Sequence, residues 1–379
     1  MNLKKKVSIL IVLLIVLSNV ACINQWSFLI KDSEKEIIIN KKIIQEYQYL
    51  INEESNCNGI PLEIIFYQIG INSIDSIHLF NQHQKNQAFA WGDIADEACV
   101  TEKGTLVIHE LNFQVKEIIV NPSQFNDLQT SLLDIFPTSL TALNIHFERE
   151  MYTSSMIDFR TEHVVLLFLD GFNNDHYLSA VEKGLMRKIS KSNMYEPALS
   201  VYPPKTTIAS AAILTGKSPN INGVFKSGIR QTKEKTIFDF VVKNNLSVIS
   251  IEGESLPFNL SNSEIILSGD KDGNGSTDDN VFLNTLSIIE TGLPNLLYIH
   301  FHGIDDMGHA YGPNSTEVWE KIEEIDGYLE EIIHLLPKDC MVITFSDHGM
   351  HGIAGKNDKG NHGNLIDEDM VVFINILIT

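Results

Sequence analysis

Four short segments place carboxylates and imidazoles at spacings that suit metal binding. The first is Leu166-Leu167-Phe168-Leu169-Asp170-Gly171. The second runs His302-Gly303-Ile304-Asp305-Asp306-Met307-Gly308-His309 and is followed by Gly312-Pro313. The third is Phe345-Ser346-Asp347-His348-Gly349-Met350, and the fourth Gly360-Asn361-His362-Gly363. Together they offer Asp170, Asp305, His309, Asp347, His348 and His362. Carboxylates with neutral imidazoles suit zinc or a similar divalent ion. Six ligands fill two three-ligand sites, each with a position left open for substrate. Every segment alone has a plainer reading: an aspartate ending a strand often caps a turn, and a histidine between glycines is often a loop residue. Their joint appearance, in order, points to one two-metal site.

Between the first and second segments lies Tyr202-Pro203-Pro204-Lys205-Thr206-Thr207, then Thr215-Gly216-Lys217-Ser218-Pro219. A hydroxyl is a poor nucleophile at neutral pH, and coordination to a metal activates it by lowering its pKa. A threonine at a turn before a helix also presents backbone N–H groups to an anion. The plainer alternative is that Thr206 only caps that helix.

These residues need a scaffold, and the texture of the chain supplies one. From residue 160 onward the pattern is strand, loop, helix. His163–Leu169, Leu246–Ile251, Leu296–Phe301, Met341–Phe345 and Val371–Ile378 are short apolar runs without alternation. Such runs suit strands buried on both faces of a sheet. Glu317–Leu335 has a helical pattern, with Ser315 or Thr316 as N-cap. Strands alternating with helices predict an α/β fold, with a mostly parallel sheet covered on both sides. Ligands in such folds sit at the carboxyl ends of the strands, where the acidic and histidine motifs fall.

The region 163–374 resembles the type I phosphodiesterase/nucleotide pyrophosphatase branch of the alkaline phosphatase superfamily. Leu-Asp-Gly-Phe at 169–172 is similar to that family's first metal segment. Lys205-Thr206, nine residues before Thr215-Gly216, is similar to its nucleophile segment and selects Thr206 over Thr207. Asp305-x-x-Gly-His309 with Tyr311-Gly312-Pro313, then Ser346 to Met350, and finally His362, complete the likeness. The resemblance implies an alkaline-phosphatase-like catalytic domain. It implies one zinc held by Asp170, Thr206, Asp347 and His348, and a second held by Asp305, His309 and His362. It implies a small phosphoester as substrate, cleaved through a phosphothreonine intermediate. Phosphodiesters come first, because no arginine stands where it would neutralise the extra charge of a monoester. Two positions depart from the family pattern: Ala209 and Ser227 stand where asparagines are usual.

Leu297 to His309 and the Asp-His-Gly-Met to Asn-His-Gly run are also similar to phosphoethanolamine transferases of glycolipid anchor assembly. Transfer is therefore one alternative, beside phosphonate and phosphomonoester hydrolysis. A non-enzymatic binding lipoprotein that keeps the fold is the remaining one. The Asp270–Asp278 stretch resembles a calcium loop, but Val281 stands at its twelfth position, so a polar loop capping a helix at 280–290 is expected.

The chain has 379 residues and a formal net charge of −21, which disfavours nucleic-acid polymers. Its arginines are Arg149, Arg160, Arg187 and Arg230. Lys4, Lys5 and Lys6 precede an apolar run, Val7 to Leu17, that ends in small residues before Cys22. A basic start, a short apolar stretch and a small-residue exit describe an export signal. Cys22 after Ala21 resembles a lipobox cysteine, which would anchor the protein to the outer face of a bacterial membrane. Residues 23–160 read as a small β-rich or α+β domain, with runs at Glu36–Ile39, Leu62–Tyr67, Thr105–His109 and Val115–Val120. Its histidines, His78, His83 and His109, are scattered and read as surface or core residues. Cys57 and Cys99 could pair in an oxidising compartment. Cys340 reads as a buried thiol. The expected organisation is an export signal at 1–22, an N-terminal domain at 23–160 and a catalytic domain at 161–379.

Overall fold

The computed structural model describes residues 26–33, 35–47, 59–81, 86–109, 111–149, 152–260, 263–353 and 356–379. The expected export segment, Cys22, His83 and Cys57 lie outside the described residues. Cys99 is disulfide-bonded, and its partner also lies outside them. Cys340 is a free, buried thiol.

The large sheet has seven strands: β1 (Val164–Leu169), β2 (Met194–Leu199), β3 (Val248–Glu252), β4 (Glu264–Leu267), β5 (Leu296–Phe301), β6 (Met341–Phe345) and β7 (Val371–Ile378). Their order is β2-β7-β6-β1-β5-β3-β4. β6, β1, β5, β3 and β4 pair in parallel, and β7 runs antiparallel to both neighbours. The helices are α1 (Asn174–Glu182), α2 (Thr206–Thr215), α3 (Ile237–Lys243), α4 (Asp278–Gly292), α5 (Gly303–Tyr311) and α6 (Thr316–Leu335).

The apolar runs follow from burial on both faces. Val164, Leu166 and Phe168 of β1 pack into one core with α2 and α3, while Val165, Leu167 and Leu169 pack into another with α1 and α6. No face of such a strand meets water, so no alternation is written into its sequence. α6 begins where expected, with the Ser315 side chain accepting from the Val318 N–H. The polar loop before α4 folds on itself: the Asp270 carboxylate accepts from the N–H groups of Gly273, Asn274 and Gly275.

The N-terminal region is β-rich, as expected. It carries a five-stranded and a four-stranded sheet around its own core. Two expectations need correction. Leu62–Gln68 is a helix, not a strand. Leu62, Ile64, Ile65 and Phe66 are all buried, so the run is apolar because it is enclosed, and a short enclosed run reads alike in either state. The passage into the catalytic body also comes earlier than residue 161. Leu132, Ile135, Phe136 and Leu140, around the helix Ile135–Ala142, share the core of Val164 and Phe168.

The small region grips the catalytic one at several places, among them Tyr202, Asp367 and the segment after His362. The buried Glu63 carboxylate accepts from the Leu365 N–H at 3.0 Å, and Trp91 Nε1 donates to the Leu365 carbonyl at 2.9 Å. Burial pushes the Glu63 carboxyl up to about 8. Leu365 and Ile366 complete the small region's core. This docking holds the segment that directly follows His362.

Candidate active site

Each candidate residue stands at the carboxyl end of a strand or just beyond it. Asp170 follows β1. Asp305 and His309 lie four residues apart on one face of α5, which follows β5. Asp347 and His348 follow β6. The local sequence makes this arrangement possible. Gly171 has a φ of +72°, and a Cβ there would lie 2.9 Å from the Asp305 Cα. The Asp-Gly pair thus lets two metal-ligand segments touch. Asp278, buried at the start of α4, accepts from the N–H groups of His302 and Gly303, each at 3.0 Å, and so anchors the start of α5.

All seven predicted residues converge. His348 Nε2 lies 3.4 Å from Asp170 Oδ1, 3.3 Å from Asp347 Oδ2 and 3.2 Å from Thr206 Oγ1. His309 Nε2 lies 3.4 Å from Asp305 Oδ2, and His362 Nε2 lies 3.8 Å from Asp305 Oδ1. The His348 and His362 rings stack with centroids 3.7 Å apart, joining the two groups. Thr206 is the first residue of α2 and half-buried, whereas Thr207 is buried. Ala209 is fully buried in the same helix.

The donor set fits divalent cations. Asp170 Oδ1, Asp305 Oδ1 and Asp347 Oδ2 are buried oxygens without a hydrogen-bond partner. Native proteins rarely leave such atoms unsatisfied. Each imidazole turns Nδ1 to a backbone carbonyl: His309 to Gly360 at 3.0 Å, His362 to Pro204 at 2.9 Å and His348 to Gly349 at 3.0 Å. A proton donated there leaves each Nε2 as a lone pair facing the carboxylates, which is how metal-ligating histidines are oriented. Candidate ligand groups form from Asp170, Asp347 and His348, and from Asp305, His348 and His362.

The electrostatics agree. Burial, then the nearby Asp170 and Asp305, pushes the Asp347 carboxyl well above the usual range. Burial, then Asp170 and Asp306, does the same to Asp305. Burial opposes the charge on Asp170 as well, but hydrogen bonds from His300 and His302 outweigh it and hold Asp170 well below the usual range. Burial keeps His348 and His362 neutral, His362 falling to about 2. Three carboxylates thus crowd one site beside His348 and His362, whose imidazoles burial keeps neutral. That is the arrangement a bound cation completes.

Two nearby residues escaped the sequence reading, Glu252 and His300, and His302 was read only as the start of a motif segment. Glu252 closes β3 and His302 follows β5, whereas His300 lies inside β5 and gives no such signal. An open cleft of about 990 Å³ reaches from Lys205 and His362 to the small region. None of the four arginines lines it.

Fold and site together define an α/β protein with a carboxylate–imidazole centre at the strand ends. The type I phosphodiesterase/nucleotide pyrophosphatase profile matches residues 164–277 and 257–375, and the chain belongs to that family. GPI ethanolamine phosphate transferase 3 of Eremothecium gossypii is 36% identical over 69 residues, 18% of this chain and 6% of the relative. The catalytic subunit of the human transferase 3 is 26% identical over 88 residues, 23% of this chain and 8% of the relative. The chain thus spans under a tenth of these relatives' length. Among solved structures, murine ectonucleotide pyrophosphatase/phosphodiesterase 5 is 16% identical, with a TM-score of 0.45 over 57% of this chain and 88% of that one. Phosphonoacetate hydrolase from Sinorhizobium meliloti 1021, with phosphonoformate, is 17% identical, with a TM-score of 0.39 over 50% and 56%.

The raised carboxyls generate a prediction. Burial and neighbouring carboxylates favour the protonated forms of Asp347 and Asp305, and a divalent cation needs them ionised, so binding releases protons and tightens as pH rises. Titration calorimetry of chelator-stripped protein, in two buffers of different ionisation enthalpy, reads the proton count. Binding that releases no protons and does not vary with pH contradicts the assignment.

Proposed function

We propose that this protein is a metal-dependent phosphodiesterase that uses Thr206 as its nucleophile. The observation that carries the reading is the 3.2 Å approach of Thr206 Oγ1 to His348 Nε2, inside the Asp170–Asp347 cluster and at the N-terminus of α2. Asp170, Asp347, His348 and Thr206 would hold one divalent cation, and Asp305, His309 and His362 a second, with zinc the expected ion. Bound there, the pair supplies Lewis-acid charge to the reacting phosphoryl group.

The protein's own groups do the rest. α2 aims the unsatisfied N–H groups of its first turn toward the position of an anion. Thr206 Oγ1 attacks phosphorus in line, loses its proton and displaces the first alcohol, leaving phosphothreonine. Water then attacks phosphorus from the vacated side, and Thr206 leaves with its hydroxyl restored. Two moderate displacements replace one difficult one. A diester suits the site better than a monoester, because no arginine lines the cleft to take up a further negative charge. A second reading is transfer, in which an alcohol replaces the water of the second step. The matched segments of the GPI ethanolamine phosphate transferases favour it.

Zinc-loaded protein should hydrolyse bis-p-nitrophenyl phosphate faster than p-nitrophenyl phosphate, a nucleotide p-nitrophenyl ester or a phosphonate. Product that forms only when an alcohol acceptor is added supports transfer instead. Thr206→Ala should lower turnover by about 10³-fold or more while metal content stays near wild type. Thr206→Ser should retain part of the activity, and Thr207→Ala should cost far less. Turnover unaffected by Thr206→Ala contradicts a threonine nucleophile.

We further infer export, with lipid attachment at Cys22, from the Lys4–Lys6 start and the apolar run before Cys22. Cys22→Ser should move the protein from the membrane to the soluble fraction. Unchanged fractionation, with no lipid mass on the mature N-terminus, contradicts the anchor.

A further inference from the structure

We propose that His300, with Glu252 and His302, is a positioning device that presents Asp170 to its cation through one oxygen only. This rests on the metal-dependent reading above.

Glu252 ends β3, and His300 lies within β5; both are fully buried. His300 Nδ1 lies 2.8 Å from Glu252 Oε2, and its Nε2 lies 3.1 Å from Asp170 Oδ2. Carboxylate oxygens only accept, so an imidazole facing one on each side donates from both nitrogens. His302 lies beside His300, with Nδ1 3.4 Å from Asp170 Oδ2, while its buried Nε2, 3.6 Å from Glu252 Oε2, makes no hydrogen bond. The His300 and His302 rings lie 3.7 Å apart, tilted by 39°, and the Phe168 ring on the strand partner lies parallel to His300 at the same separation. One imidazole therefore spans the two carboxylates, with Phe168 stacked on it and His302 beside it.

The consequence falls on Asp170. Its Oδ2 is taken from the side away from the site, while Oδ1 has no partner and faces His348 Nε2 at 3.4 Å. A carboxylate held this way offers one oxygen in one orientation. Without the bridge it can rotate, chelate through both oxygens and move the cation away from Thr206. Asp170, His300 and His302 lie close enough to form a candidate ligand group of their own, but His300 is engaged on both sides. Both His300 nitrogens sit at hydrogen-bond distance from carboxylates, which leaves no lone pair for a metal.

The test uses the full-length protein, with chelator competition reading the affinity of each ion. In His300→Asn the shorter amide replaces Nδ1 and cannot reach Asp170. In His300→Gln the longer amide reaches the place of Nε2 and keeps that contact. His300→Asn should weaken one of the two ions by about 10–100-fold, leave the other unchanged, and lower kcat at an unchanged KM. His300→Gln should restore most of both losses. A buried residue needed only for packing would give no such difference between the two amides. If His300→Asn does not fold, the part-exposed His302→Gln carries the comparison, with weakening of the same single ion expected. Wild-type affinity and kcat in the folded variants overturn the proposal. So does a third ion in wild-type protein that Glu252→Gln loses. If wild-type protein itself binds no ion and ignores chelator, the metal-dependent reading fails instead.

Discussion

Asp170, Asp305 and Asp347 meet in a pocket beside the neutral imidazoles of His348 and His362, and this crowding of carboxylates shapes everything around it. Buried like charges persist only when protons or cations compensate them. Asp170 is compensated by imidazoles on its far side, whereas Asp347 and Asp305 are not. Their unpaired oxygens face the Nε2 atoms of His348 and His362. The centre is built to be finished by something positive, and Thr206 sits where that charge would act on it.

The scaffold reads as a response to this demand. Parallel strands deliver their ends to one edge of the sheet, so residues far apart in the chain arrive together. Gly171 removes the side chain that would separate β1 from α5. Asp278 pins the start of α5. The segment after His362 lies outside the large sheet, and the small region holds it through Glu63 and Trp91. That gives the N-terminal region a mechanical part in the site, because His362 is a ligand candidate three residues before Leu365.

The motif residues were legible because they close runs that burial on two faces leaves uniformly apolar. Asp170, Asp305 and Asp347 each follow such a run, and α6 showed both its periodicity and its Ser315 cap. Other features depend on sheet neighbours that the linear order conceals. His300 matters because the β1–β5 register sets it opposite Phe168 and beside Asp170. Glu252 matters because β3 pairs with β5. Leu62–Gln68 misread as a strand because enclosure, not periodicity, makes it apolar. The residues from 131 to 147 join the catalytic core through contacts with α2 and α3 that no local pattern announces.

The central claim is that two cations complete this centre. Diffraction from zinc-loaded crystals at the zinc absorption edge tests it most directly. The account predicts two anomalous peaks roughly 4 Å apart. One should lie beside Asp170, Asp347, His348 and Thr206, the other beside Asp305, His309 and His362. Anomalous maps without a peak at these residues, from fully loaded protein, would contradict it.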